Sequence, residues 1–401
     1  MVPPPGSSST VYAPNPGALV VAIDPGHGGC LDWGVPNPYD NKVDKSEKAD
    51  TLGIGLALKS LLEAQGVTVV MTRTDDSALA GDDYAPLGCH GAPWRDVNGD
   101  GITGFGPKVP EATRTRDELS ARIDLANVAR ADIFIAIHIN SMTDNGVLYR
   151  IAASQTYYTD AFAWAATSKR LAQAVQDGAV RSLAGATNYK RQDRGIDGTA
   201  PYLYELKPAG TDPKSPRRPL LMPAILSEVG SVSLQAESEL LATNAGRQAA
   251  ARGVFDGVAA YFAQRPLAAR LDAVLPGGAA GLQPEAVSGS GPPFWPPVLP
   301  DATHLSVRMI NTGSAAWPAG VRLAAGWGAT TAPYLAAAPA DLAPLEVTVP
   351  ALAPGASVEL GLTLPAPPSG RQVAWITLLA ANGAPLTEAG SPALQVATRG
   401  P

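Results

Sequence analysis

The chain has 401 residues, 45% of them hydrophobic and 16% charged, so it is too apolar to be disordered and long enough for two or three domains. A formal charge of −6 argues against a nucleic-acid partner, and no run approaches the ~18 uninterrupted apolar residues of a membrane span. The opening residues 1–17 are Pro/Ser/Gly-rich and lack the apolar stretch of a signal peptide. A flexible segment is expected there, in a chain that either stays inside the cell or has already lost its leader.

In chain order, residues 18–23, 67–71, 133–137 and 222–226 are short, β-branched-rich runs of the kind buried in a parallel sheet. Between them, 47–65, 119–130, 168–183 and 240–262 carry helical periodicity. In the first, Ile54, Leu58, Leu61 and Leu62 share a stripe, and Gly66 supplies a stop. This alternation predicts an α/β fold with a mostly parallel sheet flanked by helices, spanning residues 18–265. Residues 75–116 break the rhythm. They are long, rich in Gly, Pro and Asp, and are expected to be an insertion over one face of the sheet.

Beyond residue 265 the composition changes. From Arg270 on, 12 of 132 residues are charged, against 54 of the preceding 269. Residues 266–291, rich in Gly, Ala and Pro, read as a linker. Over 292–398, alternating runs at 305–309, 347–349, 358–363, 373–378 and 394–397, separated by Gly-containing turns, predict a small β-sandwich.

Only four histidines are present: His27, His90, His138 and His304. His27 follows the first apolar run in Asp24-Pro25-Gly26-His27-Gly28-Gly29, and His138 closes the third. In an open α/β sheet the ligand crevice lies beyond the carboxyl ends of the strands, so both imidazoles are expected at one edge. Catalytic zinc takes three protein ligands, and Glu47 is the candidate third. It lies two helical turns before Ile54, on the sheet-facing stripe, where an unpaired carboxylate would be costly; the plainer reading is a first-turn acid favoured by the helix dipole. Glu228, in Ser227-Glu228-Val229-Gly230 after the last run, would reach the same edge and is the candidate general base.

These residues, together with Lys48, Thr72-Arg73-Thr74-Asp75, Arg122, Asn127, Ile139-Asn140 and Arg194-Gly195, occur in an order that resembles the zinc-dependent N-acetylmuramoyl-L-alanine amidases of the Amidase_3 type, over about residues 18–263. The resemblance implies zinc bound by His27, Glu47 and His138, and Glu228 as the catalytic glutamate. It implies peptidoglycan as substrate, cut at the amide between the muramoyl lactyl group and L-Ala of the stem, in the cell envelope or outside the cell. Asn140 and Arg194 are carried over as substrate-binding candidates. The alternatives are a zinc peptidase or deacylase acting on another amide, and a silent wall-binding protein. The insertion at 75–116 departs from the family pattern, as does an expansion at 147–154; the insertion is a candidate lid.

Within the insertion, Asp96, Asn98 and Asp100 stand at positions 1, 3 and 5 of a Ca2+ loop, with Gly101 at position 6. Position 12 is Pro107, so closure would fall to Glu111 or Asp117; the other reading is a solvated Asx-Gly turn. Cys30 and Cys89 form one bridge or remain two free thiols; a wall enzyme outside the membrane would be expected to bridge them, pinning the insertion beside His27. His90 is a further candidate contact. The C-terminal pattern around Trp317, Trp327 and Trp375, with Trp295 as a fourth, resembles a four-tryptophan Ig-like domain, its tryptophans expected mainly as core anchors.

Overall fold

The computed structural model describes residues 19–40, 42–83, 88–91, 93–103, 111–144, 147–160, 164–199, 203–208, 217–274, 298–299, 303–329, 335, 338–369 and 372–398. The N-terminal segment, Pro107, Trp295 and all of the expected linker beyond 274 lie outside them.

The first unit contains β1 (Val20–Pro25), α1 (Glu47–Glu63), β2 (Thr68–Met71), α2 (Glu111–Val128) and β3 (Ile133–Asn140). A two-residue pair follows, β4 (Thr143–Asp144) with β5 (Val147–Leu148), then β6 (Ala152–Tyr158), α3 (Ala165–Gly185) and β7 (Arg191–Asp197). β8 (Ala224–Ser231), α4 (Gln235–Leu241) and α5 (Asn244–Ala263) complete it. Its sheet runs β2-β1-β3-β8-β6-β7. Every neighbouring pair is parallel except β8–β6, so β1, β3 and β8 end at one edge.

Alternation along β1 sorts its side chains. Val21 and Ile23 join Ile54, Leu58 and Leu62 of α1 and the apolar faces of α3 and α5, while Val20 and Ala22 face Ile123 and Ala126 of α2. The helix 1 stripe is fully buried at i, i+4 and i+8, and Gly66 turns the chain at φ 80°.

Three expectations need correction. β6 and β7 were not foreseen, because their polar runs Ser154-Gln155-Thr156 and Arg191-Gln192-Asp193-Arg194 lack the apolar signature of a buried strand. The helix expected over 240–262 is two helices, divided where the Thr243 side chain accepts the Gly246 amide as an N-cap. α2 begins at Glu111, inside the expected insertion.

The second unit opens with β9 (Ala269–Val274), which pairs antiparallel with β11 (His304–Asn311). A linker over 266–291 is therefore wrong at its start: α5 passes almost directly into a strand. The junction is tied down, since the Ser314 amide donates to the Arg265 carbonyl, the Thr312 amide to Ala268, and the Trp317 indole to Ala268. Two sheets follow, β14-β11-β9 and β10-β16-β15-β12-β13, with β10 (Val298–Leu299), β12 (Arg322–Ala329), β13 (Ala343–Pro344), β14 (Ser357–Thr363), β15 (Gln372–Leu379) and β16 (Leu394–Thr398). Their apolar faces share one core around Val307, Met309, Leu323, Ile376 and Val396. No strand forms over 347–349: the Val347 amide donates locally to the Leu345 carbonyl, and Pro350 follows.

The two units are packed together. Trp375 of β15 lies with Val128, Trp164 and Leu221 of the first unit in one buried cluster. Arg130 pairs with Asp272 and donates to the Leu271 carbonyl at 2.7 Å.

Candidate active site

Three segments converge at the carboxyl edge of β1, β3 and β8. His27 leaves β1 in a turn where it adopts φ 63°, followed by Gly28 and Gly29, also at positive φ. A non-glycine residue there is strained and persists only when its surroundings over-determine it. Two buried guanidinium groups do so. Arg122 of α2 donates to the Pro25 and His27 carbonyls at 2.9 and 2.7 Å, and to Asp24 and Glu118. Arg73, after β2, donates to the Pro25 and Gly26 carbonyls, both at 2.9 Å. Burial alone would raise the Asp24 carboxyl, but Arg122, the Thr72 hydroxyl and His138 hold it below its usual range.

Glu47, in the first turn of α1 and 1% exposed, is the hub. Its Oε2 lies 3.1 Å from His27 Nε2 and accepts the Val35 amide. Its Oε1 lies 3.1 Å from His138 Nδ1 and accepts the Ile139 amide at 2.9 Å. The imidazoles meet edge to face with centroids 4.8 Å apart, and one ligand atom from each of His27, Glu47 and His138 lies within 4.8 Å of the others. Room for this is left by glycine: a Cβ at Gly26 would run into the His138 ring, and one at Gly34 into Glu47 and His27. The other ring nitrogen of His27, Nδ1, donates to Asp32 Oδ1, 2.8 Å away, which orients the ring and leaves Nε2 toward Glu47.

The electrostatics call for positive charge at this point. Burial would lower His27, yet Glu47 and Asp32 raise it to about 10. Burial opposes ionisation of Glu47, yet the two imidazoles hold its carboxyl well below the usual range. Glu228 sits opposite His138 in the β3–β8 register, and β8 is bulged there, Val229 being the extra residue between the partners of His138 and Ile139. The residue is part-exposed, but its Oε2 is sealed and has no hydrogen-bond partner. Burial first, and then the charge of Glu47, raise its carboxyl well above the ordinary value.

The other sequence candidates scatter. Arg194 donates to Gln155 Oε1 at 3.1 Å, and Gln155 is the other strand neighbour of Glu228, so Arg194 reaches toward the same edge. Asn140 ends β3, half-buried, its carbonyl accepting the Val232 amide. His90 is exposed, 3.5 Å from Asp83, and belongs to no ligand cluster among the described residues. Cys30 and Cys89 form a disulfide with Cα atoms 6.0 Å apart. The insertion grips the His27 turn further, Asp76 accepting the Gly29 amide and Asp82 the Cys30 amide, each at 3.0 Å. Asp32, Asp76 and Asp82 had no role in the sequence reading; isolated acids in Gly-rich loops carry no periodic signal.

Two imidazoles and two carboxylates at the carboxyl edge of a mixed α/β sheet make a candidate metal-binding catalytic crevice. Residues 21–260 match the family Amidase_3, N-acetylmuramoyl-L-alanine amidase, and the chain belongs to it. That membership sets the reaction class as hydrolysis of the muramoyl–alanine amide of peptidoglycan. The chain is 25% identical over 248 residues to the germination-specific N-acetylmuramoyl-L-alanine amidase of Bacillus subtilis (strain 168), covering 61% of this chain and 81% of the relative. It is 28% identical over 160 residues to N-acetylmuramoyl-L-alanine amidase LytC of the same organism, covering 38% and 27%. Among solved structures, the N-acetylmuramoyl-L-alanine amidase from Clostridium difficile 630 aligns at 25% identity and TM-score 0.41 over 62% of this chain and 99% of that one. The CwlD amidase of Clostridioides difficile, solved with the GerS lipoprotein, aligns at 22% and 0.42 over 61% and 98%.

Proposed function

We propose that this chain cleaves the N-acetylmuramoyl–L-Ala amide with zinc held by His27, Glu47 and His138, and with Glu228 as the proton carrier. The observation that carries the reading is the convergence of His27, Glu47 and His138 within 4.8 Å, beside a carboxylate whose buried oxygen has no partner. Two nitrogens and one oxygen from three protein residues suit a catalytic zinc, which keeps a further position open. The raised His27 supports the same reading: the pocket already favours a cation. When bound, zinc supplies Lewis-acid polarisation of the scissile carbonyl and a more acidic water.

Asp32 fixes the His27 ring, and the Val35 and Ile139 amides fix the Glu47 carboxylate, so these side chains are set before substrate arrives. Glu228 accepts the proton of the attacking water and returns it to the alanine nitrogen as the C–N bond breaks; burial and the nearby Glu47 give it the basicity to do so. The Cys30–Cys89 disulfide supports an oxidising location outside the cytoplasm. The second unit is read as an Ig-like accessory module. Its two facing sheets support this; buried Trp317 and Trp327 are anchors of its core, while Trp375 is buried against the first unit.

Purified sacculi incubated with the zinc-loaded chain should gain L-alanine amino termini. Chelation or Glu228→Gln should abolish the gain. New amino termini other than alanine, or a rate indifferent to both treatments, would overturn the reading.

A further inference from the structure

The insertion holds a second cluster of oxygen ligands, separate from the crevice. Asp96, Asn98 and Asp100 line a loop that folds on its own amides. Asp96 accepts those of Gly99 and Gly101 at 2.7 and 2.8 Å, and Asn98 Oδ1 and Asp100 Oδ1 accept those of Asp100 and Ile102, both at 2.9 Å. An oxygen that accepts one amide keeps a second lone pair. So far a solvated Asx turn would account for everything.

Asp117 is what a turn does not explain. It projects from α2, is 1% exposed, and presses Oδ1 against the loop, accepting the Val97 and Asn98 amides at 2.9 and 3.1 Å. Its Oδ2 is sealed from water and has no hydrogen-bond partner. A buried carboxylate oxygen left this way is costly and calls for a cation. Burial above all, and then the charges of Asp96 and Asp100, push its carboxyl up to about 6 against the pull of the two amides. Arg218, the guanidinium that reaches this loop, is engaged with Asp124 at 2.6 Å and with the Val97 carbonyl at 2.7 Å.

We propose that Asp96, Asn98, Asp100 and Asp117 bind a divalent cation through oxygen alone, and that the cation is Ca2+. Hard oxygen ligands with several carboxylates select Ca2+ over a nitrogen-seeking metal. A closing carboxylate from α2 replaces the one that a contiguous loop would carry at position 12, where this chain has Pro107. The three carboxylates do not lie within 4.8 Å of one another as the His27 cluster does, so binding would draw the loop onto α2. The same insertion supplies Asp76, Asp82 and Cys89 to the His27 turn, so the ion would brace the segment flanking the crevice.

The test is calorimetric titration of the full, zinc-loaded chain with CaCl2, and with MgCl2 in parallel. One Ca2+ per chain is expected with Kd on the order of 10⁻⁴–10⁻³ M, the range of extracellular modules, and with little response to Mg2+. Asp117→Asn and Asp100→Asn should each weaken Ca2+ at least tenfold while zinc content stays at one per chain. Asp100 is only half-buried, so its variant reports even if Asp117→Asn fails to fold. Without calcium, Asp117→Asn should melt at or above the parent temperature, because it removes an unpaired buried charge. Absence of saturable binding, equal response to Mg2+, or calcium affinity unchanged in both variants would overturn the proposal and leave the amidase reading intact.

Discussion

The two units solve the problem of burial differently. The second builds its interior from aliphatic side chains, Met309 and two tryptophans, Trp317 and Trp327, and the polar residues it buries among those described, Asn311, Thr312, Thr377, Thr387, Ser391 and Gln395, are all uncharged. The first buries Asp24, Glu47, Lys48, Asp50, Arg73, Glu118, Arg122, Asp124 and Glu205. Many of these lie beneath the crevice, where Arg73 and Arg122 spend their donors on the carbonyls of the Pro25–His27 turn. Buried ion pairs add little net stability and are strongly destabilising when half removed. Their placement here serves geometry: a strained histidine and a carboxylate are held where a cation would meet them. The second unit has no such task, and its core shows it.

The contrast can be broken at several points. Glu228→Gln should lower amide hydrolysis by about 10²–10⁴-fold with little loss of fold, since the oxygen it changes makes no hydrogen bond; alanine release from sacculi and a melting curve together decide it. In the second unit, Trp375→Ala should cost about 3–5 kcal/mol of stability, because the ring fills the cluster with Trp164 and Leu221. Denaturant titration checks the size, and a single shifted transition would show that the units unfold together.

Buried charge in the first unit should also appear in its pH dependence. Burial raises Glu237 from 4.5 to about 7 despite its pairing with Arg191 at 3.1 Å. The folded form then keeps a proton that the unfolded chain has released, so stability should fall by about 3 kcal/mol as pH rises from 4.5 through 7, and level off above. In Glu237→Gln the slope should become shallower by that amount, the raised Asp50, Asp117 and Glu228 still contributing, as urea denaturation at a series of pH values would reveal. The smallest effect is expected at Asp32. Asp32→Asn keeps the shape but weakens the hold on His27, and metal affinity should drop about 10–100-fold in a chelator competition.

Some of this was legible in the chain. His27 and His138 follow short β-branched runs, and Glu47 lies on the stripe of Ile54 and Leu58, so a shared sheet edge could be read from periodicity alone. β6 and β7 could not be read that way, because β6 runs antiparallel to β8 and β7 is an edge strand with a polar surface. The junction at 265–269 was missed because a Pro-containing stretch after a helix looks like a linker until its carbonyls find the amides of Thr312, Ser314 and Ala315. Among the two closing acids the sequence offered for the Ca2+ loop, it is Asp117 that the fold lays against Val97 and Asn98.

The amino-acid order by itself determined the layered α/β class, the later β-rich unit, and which imidazoles and carboxylates could meet, because hydrophobic period and strand-end position are local properties. Only the tertiary structure decided that Asp32 orients His27, that Arg73 and Arg122 hold its turn, and that Trp375 joins the two units. Those contacts link residues far apart in the chain, and their energies arise from burial and charge that exist only once the layers have closed.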